Sequence, residues 1–201
     1  MSSMQTKMDR IPATERRELI LEAATRVFGD LGYAGATTDK VARAAGISQP
    51  YVVRMFGTKE QLFIEVLERT CERILGAFDE AIRATDDERS VQSRVGEAYV
   101  ELVETDRGIL LALMQGFILG HDAGIGPVAR RGFMRIYDRL RTVFEPEEAM
   151  SFMAQGMLIN TLIASGLLSQ VQQHQENVDE LLACTFGDKL GIVVDGLARD
   201  A

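Results

Sequence analysis

The segment from Thr37 to Phe56, TTDKVARAAGISQPYVVRMF, leaves few folds open. Two short helical stretches are predicted, Thr38 to Ala45 and Gln49 to Phe56. Gly46 separates them and Gly57 ends the second. Ser48 stands where it can cap the second helix, and Pro50 is tolerated in a first turn. Helices joined this tightly must cross steeply, which needs a small residue at the approach and favours glycine in the turn. Ala42 and Gly46 supply them, and Val41, Ala45, Ile47, Val52 and Met55 are apolar where both helices must be pinned to a core. The spacing of Ala42, Gly46 and Val52 suits a helix-turn-helix, whose second helix enters the major groove of DNA.

The flanking sequence supports the same fold class. Ile20, Ala23, Ala24, Val27, Phe28 and Leu31 recur at helical spacing, with Thr14 as the expected cap and Gly32 as the expected C-terminal glycine. Thr58-Lys59-Glu60-Gln61 has the pattern of a capping box and opens a longer helix through Phe63, Val66, Leu67, Ile74 and Phe78. Five more helices are predicted, near 90–105, 107–120, 127–144, 147–171 and 178–198. Only four prolines occur, and no strand alternation is evident. The expected architecture is all-α: a three-helix helix-turn-helix domain over 13–58, then a larger helical domain over 59–201 for ligand binding and dimerisation.

Charge divides along the same line. Residues 1–60 hold nine Lys/Arg against seven Asp/Glu, although the whole chain carries a net charge of −8. A mildly basic head on an acidic body would turn the head toward phosphate. The apolar run Ile109 to Gly120 is too short to span a membrane. Residues 149–175 lack any Asp, Glu, Lys or Arg, but they contain Gln155, Asn160 and Thr161 and have no basic flank. Burial at a subunit interface is expected there. The polar N-terminus has no apolar signal region, so Cys71 and Cys184 are expected to be reduced, buried thiols in a cytoplasmic protein.

The stretches RRELILEAATRVFGDLGY, TTDKVARAAGIS and MFGTKEQLF make residues 15–63 resemble the DNA-binding domain of the tetracycline-repressor (TetR) family. The resemblance implies a dimeric regulator of transcription. It places Thr38, Ser48 and Lys59 on DNA phosphates, and Gln49, Pro50, Tyr51 and Arg54 on the exposed side of the reading helix. Gln49 would suit adenine and Arg54 guanine. Val52-Val53-Arg54-Met55-Phe56 departs from the family's usual Leu-Tyr-x-His-Phe. Val53 stands where a tyrosine commonly bonds the DNA backbone, and Tyr51 is expected to take up part of that work.

In the body, Phe63, Leu67, Ile74, Phe78, Met114, Phe117, Ile118, Phe133, Tyr137, Met153 and Met157 are the candidates for an apolar effector pocket. Phe152, Gly156, Ile159, Asn160, Ile163, Leu167, Leu182, Phe186, Ile192 and Val193 are the candidates for a homodimer interface. The expected partners are a palindromic double-stranded operator, a small-molecule effector and a second copy of the chain, with no cofactor and no membrane. An enzyme is disfavoured because no Glu-x-x-His pair, Walker loop, GxGxxG or zinc spacing is present. A regulator without a small-molecule effector, and an activator in place of a repressor, stay open.

Overall fold

The computed structural model describes residues 12–85, 89–167 and 176–186, which form helices and no strands. In chain order these are α1 (Ala13–Gly35), α2 (Thr38–Ala44), α3 (Gln49–Phe56), α4 (Lys59–Arg83), α5 (Val91–Thr105), α6 (Arg107–Ile118), α7 (Ile125–Leu140), α8 (Pro146–Ala164) and α9 (Glu176–Phe186). The all-α expectation holds.

Local chemistry explains most boundaries. α1 starts after Pro12 rather than at a Thr14 cap. Proline lacks the N–H that a first turn leaves unpaired and presets a compatible backbone. Gly32 takes φ 66 and interrupts α1 before its final turn, as its sequence position implied. Thr37 caps α2, its hydroxyl accepting from Lys40 N at 3.1 Å. Gly46 takes φ 68 and Gly57 φ 76, the left-handed conformations that stop α2 and α3. Thr58 Oγ1 accepts from Gln61 N at 3.0 Å at the start of α4. Glu145 N donates to the Glu148 carboxylate at 3.0 Å at the start of α8, beside Pro146.

The chain divides into two compact units. The first runs through Cys71 and adds Leu111–Gly132, and the second comprises Glu72–Leu110 and the residues from Phe133 onward. The boundary expected at 58/59 falls inside the first unit. Its core takes Ile20, Leu21 and Phe28 from α1, Val41 and Ala42 from α2, Val52 and Phe56 from α3, and Leu62, Phe63, Val66 and Leu67 from α4, with Ala112, Ile125 and Val128. Phe63 lies between Phe28 and Tyr33, with ring centroids 4.7 and 5.2 Å away. Gly116 is buried against the Leu67 side chain, and Gly126 lies against the Gly120 carbonyl.

In the second unit, Phe78 packs edge-on against Tyr99 and Phe152, while Phe152 stacks on Phe144. The buried Tyr99 hydroxyl donates to Asn160 Oδ1 at 2.6 Å. Ion pairs join Arg73 to Asp106 at 2.6 Å and Arg139 to Asp79. Cys71 is buried in the first unit as expected, but Cys184 on α9 is exposed, because it lies off the stripe that Leu182 and Phe186 bury.

Candidate nucleic-acid interface

Alternating burial along α3 sets up the site. Val52 and Phe56 are buried, while Pro50, Val53 and Arg54 are exposed and Gln49 and Tyr51 are half-buried. The apolar pair at i and i+4 fixes the rotation of the helix, so its opposite side must face outward. Ala45, Ile47 and Met55 pack at the edge of the same core.

The outward side chains are held by specific contacts. Gln49 Nε2 donates to Thr38 Oγ1 at 3.3 Å, joining the starts of α3 and α2. Arg16 Nη1 donates to the Tyr51 hydroxyl at 2.9 Å. The Arg54 guanidinium lies 4.7 Å from the Tyr51 ring centroid. Lys59 Nζ donates to the Tyr33 carbonyl at 3.0 Å and lies 4.3 Å from that ring's centroid. Ser48 is the N-cap residue of α3 without a side-chain capping bond, and it is exposed. Burial pushes the Tyr33 phenol above its ordinary pKa, helped by the Glu60 and Asp122 carboxylates.

All seven sequence-predicted DNA residues thus lie within the first unit on α2, α3 and their flanks. Sequence reasoning missed Arg16. Its partner Tyr51 is 35 residues away, and only the first-turn position of Arg16 on α1 hinted that it could reach α3. Lys40 and Arg43 also belong to α2. Lys40 Nζ donates to the Gly35 carbonyl at 2.8 Å, and Arg43 pairs with Asp39 at 2.6 Å.

A family model described as bacterial regulatory proteins, tetR family, matches residues 20–66, which take in α2, α3 and the turn between them. Over this stretch the chain is similar to the tetR family. Among curated TetR-type relatives, the HTH-type transcriptional activator FasR of Mycolicibacterium smegmatis is 36% identical over 98 residues, which are 49% of this chain and 45% of that protein. The HTH-type transcriptional repressor AcnR of Corynebacterium glutamicum is 36% identical over 67 residues, 33% of this chain and 36% of that protein. The chain therefore spans less than half the length of these relatives. A crystal structure of a TetR-like transcriptional regulator from a Rhodococcus species has a TM-score of 0.64 at 20% identity, covering 95% of this chain and 98% of that one. That likeness is one of fold alone, and it reaches beyond the matched stretch.

The body residues are arranged differently from their sequence grouping. Among the effector candidates, Phe63, Leu67, Met114, Phe117 and Ile118 belong to the first unit, and Ile74, Phe78, Phe133, Tyr137, Met153 and Met157 to the second. Phe63 and Leu67 belong to the core of that first unit, and Ile118 is 68% exposed. Ile118 ends a helix that is apolar all round, and periodicity there cannot tell the inner from the outer face. The second unit contains a cavity of about 220 Å³ between α5, α8 and α9, lined by Tyr99, Val100, Phe152, Gln155, Gly156, Ile159, Thr185 and Phe186 among others. None of the eleven effector candidates lines it.

The interface candidates differ in burial within the single chain. Ile159, Asn160, Ile163, Leu182 and Phe186 are buried within the chain itself, whereas Phe152, Gly156 and Leu167 are half-buried. The exposed large apolar side chains on the same helices are Met150, Leu158 and Leu181. Ile192 and Val193 lie outside the described residues. Among the described residues, no group of three or more His, Cys, Asp or Glu could hold a metal ion. No described helix is long and apolar enough to cross a membrane.

Proposed function

We propose that the chain is a dimeric transcription regulator, a repressor that leaves a palindromic operator when a small, mainly apolar ligand binds the body. The observation that carries the DNA reading is α3 itself. Val52 and Phe56 anchor it, Arg54 is exposed, and Gln49 and Tyr51 are half-buried at its edge, with Gln49 joined to Thr38 and Arg54 set against Tyr51. Phosphate contacts from Thr38, Ser48 and Lys59 would set register, and Gln49 and Arg54 would read base edges. In a dimer, two such helices would enter successive major grooves about 34–36 Å apart.

The effector reading is supported by the apolar-walled cavity of about 220 Å³ in the second unit. That volume is smaller than the roughly 300–1,000 Å³ of ordinary ligand pockets, which favours a compact ligand. The same small volume favours a second reading, a regulator governed without a small molecule. The relatives carry both signs of regulation, since FasR is named an activator and AcnR a repressor. Repression is the sign adopted here because a ligand that disfavours the DNA-bound state releases the operator directly.

Selection from random duplex DNA at fixed salt tests the core of the proposal. Enrichment of a palindrome with half-sites about one helical turn apart is expected. Weak binding that is wholly salt-driven and enriches no sequence would reject a base-reading head.

A further inference from the structure

Tyr51 on α3 contacts two arginines from different helices. The half-buried Tyr51 accepts a hydrogen bond from Arg16 Nη1 at 2.9 Å through its hydroxyl. The guanidinium carbons of Arg16 and Arg54 lie 5.2 and 4.7 Å from its ring centroid. Arg16 belongs to the first turn of α1, and Arg54 follows Tyr51 by three residues, on the same face of α3.

We propose that Arg16 is a positioning residue for base reading. It acts through Tyr51 to hold the Arg54 guanidinium in one plane, poised for a base edge with two acceptors, as guanine presents. The proposal rests on the reading of α3 as the recognition helix.

Bidentate recognition requires the guanidinium plane to be aligned before both N–H groups can reach their acceptors. An exposed arginine samples many rotamers and must lose them on binding. Stacking on an aromatic face restricts that freedom in advance. The ring can do this only if it is itself fixed, and the half-buried Tyr51 packs against the edge of the core. The hydrogen bond from Arg16 ties its hydroxyl to α1 as well, which is anchored independently by Ile20, Leu21, Ala24 and Phe28 in the core. The order of dependence therefore runs from α1 to Arg16, to Tyr51, to Arg54.

The full-length chain and the operator selected from random duplexes provide the test. Arg54→Ala identifies the base position that Arg54 reads in each half-site. Arg16→Ala and Tyr51→Phe are each expected to lower discrimination at that same position by roughly fivefold or more, within the range a bidentate pair supplies. Other positions and the salt dependence should stay unchanged, and Arg16→Lys should retain part of the discrimination. Arg16→Ala combined with Tyr51→Phe should lose no more than either alone, since both break one link. Should Arg16→Ala fail to fold, Tyr51→Phe still carries the test, because it removes the accepting hydroxyl and keeps the ring.

Uniform weakening on all sequences, with the salt slope falling by about one, would make Arg16 a phosphate contact and overturn the proposal. Unchanged discrimination at the Arg54 position would overturn it too, while leaving the base-reading helix intact. If the unaltered chain enriches no sequence, the parent reading and this inference fall together.

Discussion

Lys59 Nζ donates to the main-chain carbonyl of Tyr33 at 3.0 Å while its ammonium sits 4.3 Å from the centre of the same tyrosine's ring. The peptide it holds follows Gly32, whose positive φ interrupts α1. The N–H of Tyr33 in turn donates to Gln115 Oε1 at 3.3 Å. Lys59 therefore joins the start of α4 to the end of α1, besides its proposed role on phosphate. Lys59→Ala is expected to cost about 1 kcal/mol of stability from the lost charged hydrogen bond. It should also weaken binding to all DNA sequences alike and lower the salt slope by about one. Urea unfolding reads the first effect and a salt titration of operator binding reads the second. A stability loss with an unchanged salt slope would make Lys59 purely structural.

The adjacent threonines at the start of α2 separate capping from DNA contact. Thr37 accepts from Lys40 N, whereas Thr38 accepts from Gln49 Nε2. Thr37→Ala is expected to destabilise the fold by about 1 kcal/mol, the usual cost of a lost cap. Thr38→Ala should stay within about 0.5 kcal/mol in stability. It should instead weaken operator binding by freeing Gln49 and removing a hydroxyl from the proposed interface. The reverse pattern in paired unfolding and binding measurements would show that the two roles had been exchanged.

What the sequence revealed and what it concealed follow from the range of the interactions. The helix-turn-helix was legible because Gly46, Gly57, Ala42 and the Val52/Phe56 pair act over a few residues. The Thr37/Thr38 distinction turns on one residue of register, which periodicity does not resolve. Arg16 and Tyr51 meet across 35 residues of chain, so no local pattern joins them. Over its described part, residues 149–167, the uncharged run buries Ala149, Ile159, Leu162 and Ile163 within the chain. It could not divide side chains turned into their own chain, such as Ile159 and Ile163, from those turned outward, such as Leu158. The exposed Ile118 shows the same limit, because a largely apolar helix carries little directional signal.

Two glycines make opposite predictions about packing. A Cβ on Gly126 would lie 2.3 Å from the Gly120 carbonyl oxygen, which is backbone and cannot rotate away. Gly126→Ala is expected to destabilise by about 1–3 kcal/mol. Nothing lies within 4 Å of a Cβ on Gly76, in the exposed interior of α4. Gly76→Ala should stabilise by about 0.5–1 kcal/mol through helix propensity. Equal effects of the two substitutions on thermal melting would contradict this packing.

Tyr99 predicts a pH dependence. Burial pushes its phenol up to about 12, against an ordinary value of 10.0. The folded chain thus holds this proton more tightly than the unfolded chain does. The associated stability is intact below about pH 10 and is lost as pH rises toward 12, roughly 3 kcal/mol over that window. Tyr99→Phe should remove this alkaline component. At neutral pH it should cost about 1–3 kcal/mol, because Asn160 Oδ1 is left buried without its donor. Denaturant titrations of both proteins from pH 8 to 11.5 give the comparison, and parallel curves would remove Tyr99 as the cause.

The proposed dimer depends on which stripe of α8 and α9 meets a partner. Met150 is 62% exposed, Leu158 41% and Leu181 40%, while the neighbouring Ile159 and Leu182 are buried in their own chain. An apolar stripe left in water costs about 25 cal/mol per Å², and burying it against a second copy recovers that. Leu158→Asp adds charge to the outward stripe without entering the core. It is expected to convert a dimer into a folded monomer at micromolar concentration, with helical circular dichroism retained. Ile159→Asp, one residue away, should unfold the body instead, since it buries an unpaired carboxylate. Sedimentation of both variants beside the unaltered chain separates the two faces. If the unaltered chain is itself monomeric, or Leu158→Asp stays dimeric, then this stripe is not the subunit interface, and two heads could not be spaced for a palindrome through it.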